Sequence, residues 1–148
     1  MTAGRLPAEW ARLLGLQHVA TGRSRMRLQN DSALWFPERL ELDHALGKVV
    51  GLYAAEGWRT RHQVIFALHR EEKHLVANVA RFARSLGIRA VVAPVSENGI
   101  KVTVSSRLFS SLMGFFVDGD RASTKFLKPA TLRGPKVFLD GVLEGLLE

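Results

Sequence analysis

Hydrophobic positions change their period several times along the chain. From Leu42 to Gly57 the run LDHALGKVVGLYAAEG has helical spacing, with Leu46, Val49, Val50 and Tyr53 as its core-facing positions. Asp43 suits the cap or first turn, and Gly57 falls just past the end. The segment from Trp58 to Arg70 alternates instead. Val64, Phe66 and Leu68 face one way, while Arg59, Arg61 and Gln63 are expected on the opposite face of a single strand, or of the second strand of a short hairpin that begins at Trp58. EEKHLVANVARFARSLG returns to helical spacing, with Leu75, Val79, Phe82 and Leu86 as a seam and Gly87 as its stop. IRAVVAPVSENGIKVTVSS reads as a hairpin turning at Asn98-Gly99, its core face carrying Ile100, Val102 and Val104. A helix over SSRLFSSLMGFFV, capped by Ser105 or Ser106, comes next. DGDRASTKFLKPATLRGP is expected to be a loop, and a last helix begins near Lys136.

Two helices carry an unusual feature. Gly47, Gly51 and Ala55 recur every four residues, as do Gly141 and Gly145, so each set lines one stripe. An interior glycine costs about 1 kcal/mol of helix propensity relative to alanine. A stripe of them makes sense where another backbone must come unusually close.

The first residues are less regular. Pro7 and AEWARLLG suggest a short helix ended by Gly15, and the stretch around Gly22 suggests a small hairpin with Arg23, Arg25 and Arg27 on one side, either as DNA contacts or as a solvated edge kept from aggregating by charge. The organisation is therefore a basic lead-in over 1–41, an α+β domain over 42–133, and a second glycine-striped helix over 134–148. Four antiparallel strands with helices on one face leave the other face open. That open face is expected to carry Arg59, Arg61, Gln63, Arg89, Lys101 and Thr103.

Composition narrows the chemistry. The chain has 148 residues, enough for one domain with its own core. It has no cysteine, which removes disulfides, thiol nucleophiles and thiolate zinc sites. Apolar runs are too short to span a bilayer, and the opening residues lack a signal peptide's hydrophobic segment, so a cytoplasmic or nucleoid location is expected. Lys and Arg number 21 against 14 Asp and Glu, a net +7 that suits phosphate backbones, anionic lipid or merely solubility. A basic sheet face fits a major groove, with arginine able to read guanine, glutamine adenine, and lysine the phosphates.

The stretch FPERLELDHALGKVVGLYAAEGW resembles the first signature helix of the LAGLIDADG homing endonucleases, particularly the intein-embedded branch. The helix ending in SLG, the hairpin leading into VSSRLFSSLMGFF and the lysine-proline segment continue the resemblance, which covers roughly residues 36 to 148. It implies an αββαββα unit that cleaves double-stranded DNA with magnesium, signature helices packed through small residues, and Glu56 as the catalytic, metal-binding acid. It also implies a basic residue near the centre, for which Lys125 and Lys128 are the candidates. The family's spacing to the proline points instead to Phe126.

The second signature has two registers. LEGLLE, residues 143–148, puts its acid just beyond Glu148, whereas FLDGVLEGL puts it at Leu146. Either way the chain carries one good signature acid, and the second is expected from another copy or from further sequence. No splicing chemistry is expected, since Met1 is not a nucleophile and a terminal His-Asn pair is lacking. A DNA-binding module without catalysis, or a scaffold merely solubilised by its arginines, are the competing classes. His44, His62, His69 and His74 do not form a metal-binding pattern, and Asp118 and Asp120 read as a polar turn.

Overall fold

The computed structural model describes residues 40–119 and 123–148 in full, and 16–19, 25–28 and 36–37 as strand backbone. The short strands β1 (Leu16–Val19), β2 (Arg25–Leu28) and β3 (Phe36–Pro37) form an antiparallel sheet. The hairpin expected around Gly22 corresponds to β1 and β2, with Arg27 opposite Gln17 and Arg25 opposite Val19. Its turn, Arg23 and the expected first helix lie outside the described residues.

Helix α1 spans His44–Glu56. Asp43 starts it by accepting a hydrogen bond from the Leu46 amide at 2.9 Å, satisfying one of the orphan donors of the first turn. Gly57 ends it, its amide donating to the Tyr53 carbonyl. Strands β4 (Gly57–Arg59) and β5 (Gln63–His69) follow, then α2 (Lys73–Ser85), β6 (Ala90–Pro94), β7 (Gly99–Ser105) and α3 (Arg107–Phe116). Gly87 holds a φ of 79° after α2, a conformation open to glycine without a Cβ penalty. Ser106, not Ser105, caps α3 by accepting from the Phe109 amide at 3.1 Å.

The fold class is α+β. Strands β4 to β7 form one antiparallel sheet in the order β4-β5-β7-β6. Val64, Phe66, Val102 and Val104 are buried beneath the helices with Leu46, Val49, Val50, Tyr53, Leu75, Val79 and Phe109. The period-two and period-3.6 patterns thus meet in a single core.

The stretch expected to be a loop contains structure. Val117–Asp118 (β8) pairs with Phe126–Leu127 (β9), and Pro129–Leu132 forms a one-turn helix, α4. The Thr131 hydroxyl donates to the Phe116 carbonyl at 2.7 Å and the Lys128 amide donates to the same oxygen at 3.0 Å, fastening this excursion to the end of α3.

The last helix, α5 (Lys136–Leu147), packs along α1 with backbones in direct contact. A Cβ added to Gly47 would overlap the Phe138 carbonyl, and one added to Gly51 would overlap the Val142 carbonyl. Reciprocally, Gly141 leaves room for the His44 carbonyl and Gly145 for that of Lys48. The helices run parallel, because later residues of α1 meet later residues of α5. Ala55, one turn beyond Gly51, is half-buried, and α5 ends at Leu147.

Ion pairs run along the same seam. Glu144 meets His44 at 2.6 Å and Lys48 at 3.0 Å, while Glu148 meets Lys48 at 3.6 Å and His74 of α2 at 3.3 Å. The hydrogen bond from Lys48, with help from His44, holds the Glu144 carboxyl below the usual carboxylate range. A depressed folded value means the unfolded chain takes up the proton first. The contribution is therefore complete above about pH 4.3 and lost as pH falls through the lower folded value. Exposed pairs of this kind are worth little each.

The packed stripe makes a prediction whose sign discriminates. On an open helix surface Gly51→Ala stabilises by about 1 kcal/mol. Against the Val142 carbonyl it should instead destabilise by about 1–3 kcal/mol, read by urea unfolding followed by circular dichroism. A gain in stability would show the stripe to be open. In the same assay Glu144→Gln should flatten the loss of stability below pH 5, and an unchanged acid limb would remove the carboxylate from that role.

Candidate functional site

Because α1 and α5 run parallel, their C-terminal ends lie at the same end of the pair. Contacts at the seam repeat under one shift in residue number. Gly47 meets Phe138 and Val142, while Gly141 meets His44 and Lys48. Gly51 meets Val142 and Leu146, while Gly145 meets Lys48 and Leu52. The shift that carries Gly47 to Gly141 also carries Gly51 to Gly145, Lys48 to Val142 and Leu52 to Leu146. The pair is thus related by a local two-fold axis. The same shift carries Glu56 to the second position past Glu148.

Glu56 is the last residue of α1 and is exposed. Its basic neighbour comes from the β8–β9 excursion. The Lys125 ammonium donates to the Tyr53 carbonyl at 2.9 Å and to the Gly57 carbonyl, and lies 5.1 Å from the centre of the Tyr53 ring. Helix α1 has no basic residue in its own last turn, so a lysine distant in sequence supplies the cation that a helix C-terminus favours. Burial pushes the Lys125 ammonium below the usual lysine value, and the charge of Glu56 opposes that shift. Carboxylate and ammonium are electrostatically coupled at the end of the paired helices.

Of the two lysine candidates, Lys125 is the one beside Glu56. Lys128 stands at the N-cap of α4, its carbonyl accepting from the Thr131 amide at 2.9 Å. A signal for this was available: Lys-Pro reads as N-cap and first helical residue, which assigns Lys128 to a helix start. Phe126 is exposed and points no charge at the site. Gly119, with φ 85°, turns the excursion back so closely that a Cβ there would strike the Thr124 backbone, and Lys125 follows directly.

One sheet assignment is corrected. Arg59 is in register with Val64, so it shares the helix-covered face rather than the open one. Its guanidinium lies against the backbone of Gly114 in α3, with Nη1 3.5 Å from the Ser110 hydroxyl. The turn through Thr60, Arg61 and His62 resets the alternation, so residues before and after it cannot be counted as one strand. Arg61 is exposed in that turn, and Arg89 is exposed just before β6. Gln63, Lys101 and Thr103 do lie on the open face by their register, with the Gln63 amide donating to the Ser105 hydroxyl at 3.3 Å. The side chains of Arg25 and Arg27 lie outside the described residues.

Among the described residues no group of three or more His, Cys, Asp or Glu is arranged to hold a metal ion. Glu56 offers one hard oxygen ligand, the type magnesium prefers when waters and a substrate phosphate complete its shell. That donor fits the ion in kind but supplies only one of two expected carboxylates. Among the described residues no helix is long and apolar enough to cross a membrane.

The coupling of Glu56 to Lys125 can be read directly. Glu56→Gln removes the interaction that opposes the downward shift, so the Lys125 titration should move further below the ordinary lysine value. Side-chain NMR of the lysine ammonium measures it, and an unmoved titration would mean that the two groups do not sense each other. No protein-family model and no curated protein matches the chain.

Proposed function

We propose that the chain is the DNA-gripping, acid-delivering unit of a metal-dependent double-strand DNA endonuclease of the LAGLIDADG type. The observation that carries this reading is the glycine-sealed helix pair, with an exposed carboxylate at its end and a lysine coupled to it. Phosphodiester hydrolysis needs a water activated and a leaving oxygen stabilised. A bound magnesium ion would supply Lewis acidity for both. In this reading Glu56 holds that ion, and Lys125 keeps the end of α1 fixed and the local field positive. The open sheet face contacts the duplex, with Lys101, Arg61 and Arg89 toward phosphates.

The symmetry of the seam favours the first of the two signature registers. Gly145 is the counterpart of Gly51, and Leu146 that of Leu52 rather than of Glu56. The second acid would then stand two positions past Glu148. The same shift maps Val49, Leu52 and Tyr53, which are buried, onto Leu143, Leu146 and Leu147, which are exposed, Leu147 at 77%. Leu46 and Val50 map onto Asp140 and Glu144, so the apolar match is confined to the later turns. An exposed leucine patch of this kind suits burial against a second sheet-bearing unit. Pairing of two copies through the α1 stripe is disfavoured, because α5 already fills it.

A second reading, a DNA-binding module without catalysis, is favoured by the single signature acid. One experiment separates the two. The chain is extended past Glu148 by an alanine and a glutamate, mirroring Ala55 and Glu56, and given a duplex library with magnesium. Nicking or cutting is expected, and Glu56→Gln should reduce it at least about 100-fold while sparing binding. Duplex that is bound but never cut would favour the non-catalytic module. Absence of salt-dependent binding would defeat both readings and leave the scaffold.

A further inference from the structure

Strand β6 closes the four-stranded sheet at one edge, and among the described residues no strand pairs with its outer side. Natural edges are blunted by charge, brevity or proline. The opposite edge, β4, is only three residues long. Strand β6 runs AVVAP without a charge and exposes Val91 at 56% and Val92 at 48%, with Val95 just beyond at 67%. Val92 lies on the helix-covered face by its register with Val102, and Val91 on the open face by its register with Thr103. The edge is apolar on both faces.

Register also tells which backbone groups point outward. The Val95 amide donates to the Gly99 carbonyl at 3.0 Å, and hydrogen-bonded pairs alternate along an antiparallel ladder. Ala93 and Val91 therefore bond to β7, whereas Ala90, Val92 and Pro94 direct their backbone polar groups away from it. Pro94 has no N–H, so the outer edge lacks a donor at the end of the strand and keeps it at the centre.

This edge is complementary to itself. Consider a second β6 laid antiparallel across a two-fold axis at Val92. Val92 then exchanges both backbone bonds with its counterpart, and each Ala90 amide donates to the other copy's Pro94 carbonyl. Opposite residues share a face, so both helix-covered faces stay on one side and the sheet runs through both copies. Exposed Arg89 falls opposite Val95, which its stem covers, and one diagonal step from exposed Glu97. Symmetry repeats that match of cation and carboxylate. Centring the axis on Val91 loses the charge match, and centring it on Ala93 sets donorless Pro94 opposite Val92. A foreign strand could also pair here, but this agreement of charge and register favours a second copy.

We propose that the chain forms a two-fold dimer in which β6 pairs antiparallel with β6 of a second copy, centred on Val92. With the other edge short, association closes at the dimer rather than growing into a fibre. The proposal is independent of the DNA reading above, and no nucleic acid enters its test.

Sedimentation of the full chain over a concentration series should show a monomer–dimer equilibrium. In the dimer the Val92 amide should exchange with solvent at least about tenfold more slowly than in the dilute monomer, while Val91, bonded within the sheet in both, changes less. Val92→Lys, at an exposed edge position, should leave the circular dichroism unchanged and weaken the dimer at least about 100-fold. Arg89→Glu and Glu97→Arg should each weaken it about tenfold, and the two together should restore it. A chain that stays monomeric up to about 1 mM overturns the inference. So does a dimer that Val92→Lys leaves intact, or one in which Val92 exchange is not slowed, since either is held together elsewhere. A double variant that recovers no affinity overturns the Val92-centred register.

Discussion

The approach of two helix backbones through facing glycines is the constraint on which the rest of the molecule depends. Four interior glycines cost roughly 4 kcal/mol of helix propensity against alanine. Such sequences persist as helices because carbonyl groups of the partner sit where Cβ atoms would be. The contact fixes translation and rotation together, since a glycine stripe accepts a neighbour in one register. It also makes the pair parallel, and parallel helices bring like ends together. Glu56 is exposed at that end for this reason, and the dipoles of both helices direct negative potential toward it. A cation drawn from elsewhere in the chain offsets part of that potential.

Much of this arrangement was legible in the residues themselves. Asp43, Ser106, Gly57 and Gly87 mark helix ends through local chemistry that needs no distant partner, and all four act at those ends. The core faces of α1, α2, β5 and β7 followed from periodicity, which the core rewards directly. The stripe was visible because glycine in a helix demands a reason. What it packs against was less plain, since α5 shows only its own two glycines and nothing in either helix states that they face each other in parallel.

Arg59 was counted along a strand that is interrupted by a turn, and a side-chain period of two does not survive such an interruption. The segment from Asp118 to Pro135 contains polar residues, two glycines and two prolines, so it reads as irregular. It folds because Phe116 offers a carbonyl to Thr131 and Lys128, and Gly119 permits a tight return. Those are tertiary facts. The preference of Lys125 for the α1 terminus over solvent is another: it depends on carbonyls that exist only once α1 has ended at Glu56.

The parallel seam also shapes the order in which the chain can mature. Helix α1 begins at His44 and its partner at Lys136, so the intervening sheet and helices must all be made before the stripe is covered. Contacts between such distant segments form late, since the chain must be closed into a loop before they contribute. During synthesis α1 therefore emerges with its bare stripe and weak propensity, held only by its sheet-facing side. A helix made only after the whole sheet completes the first.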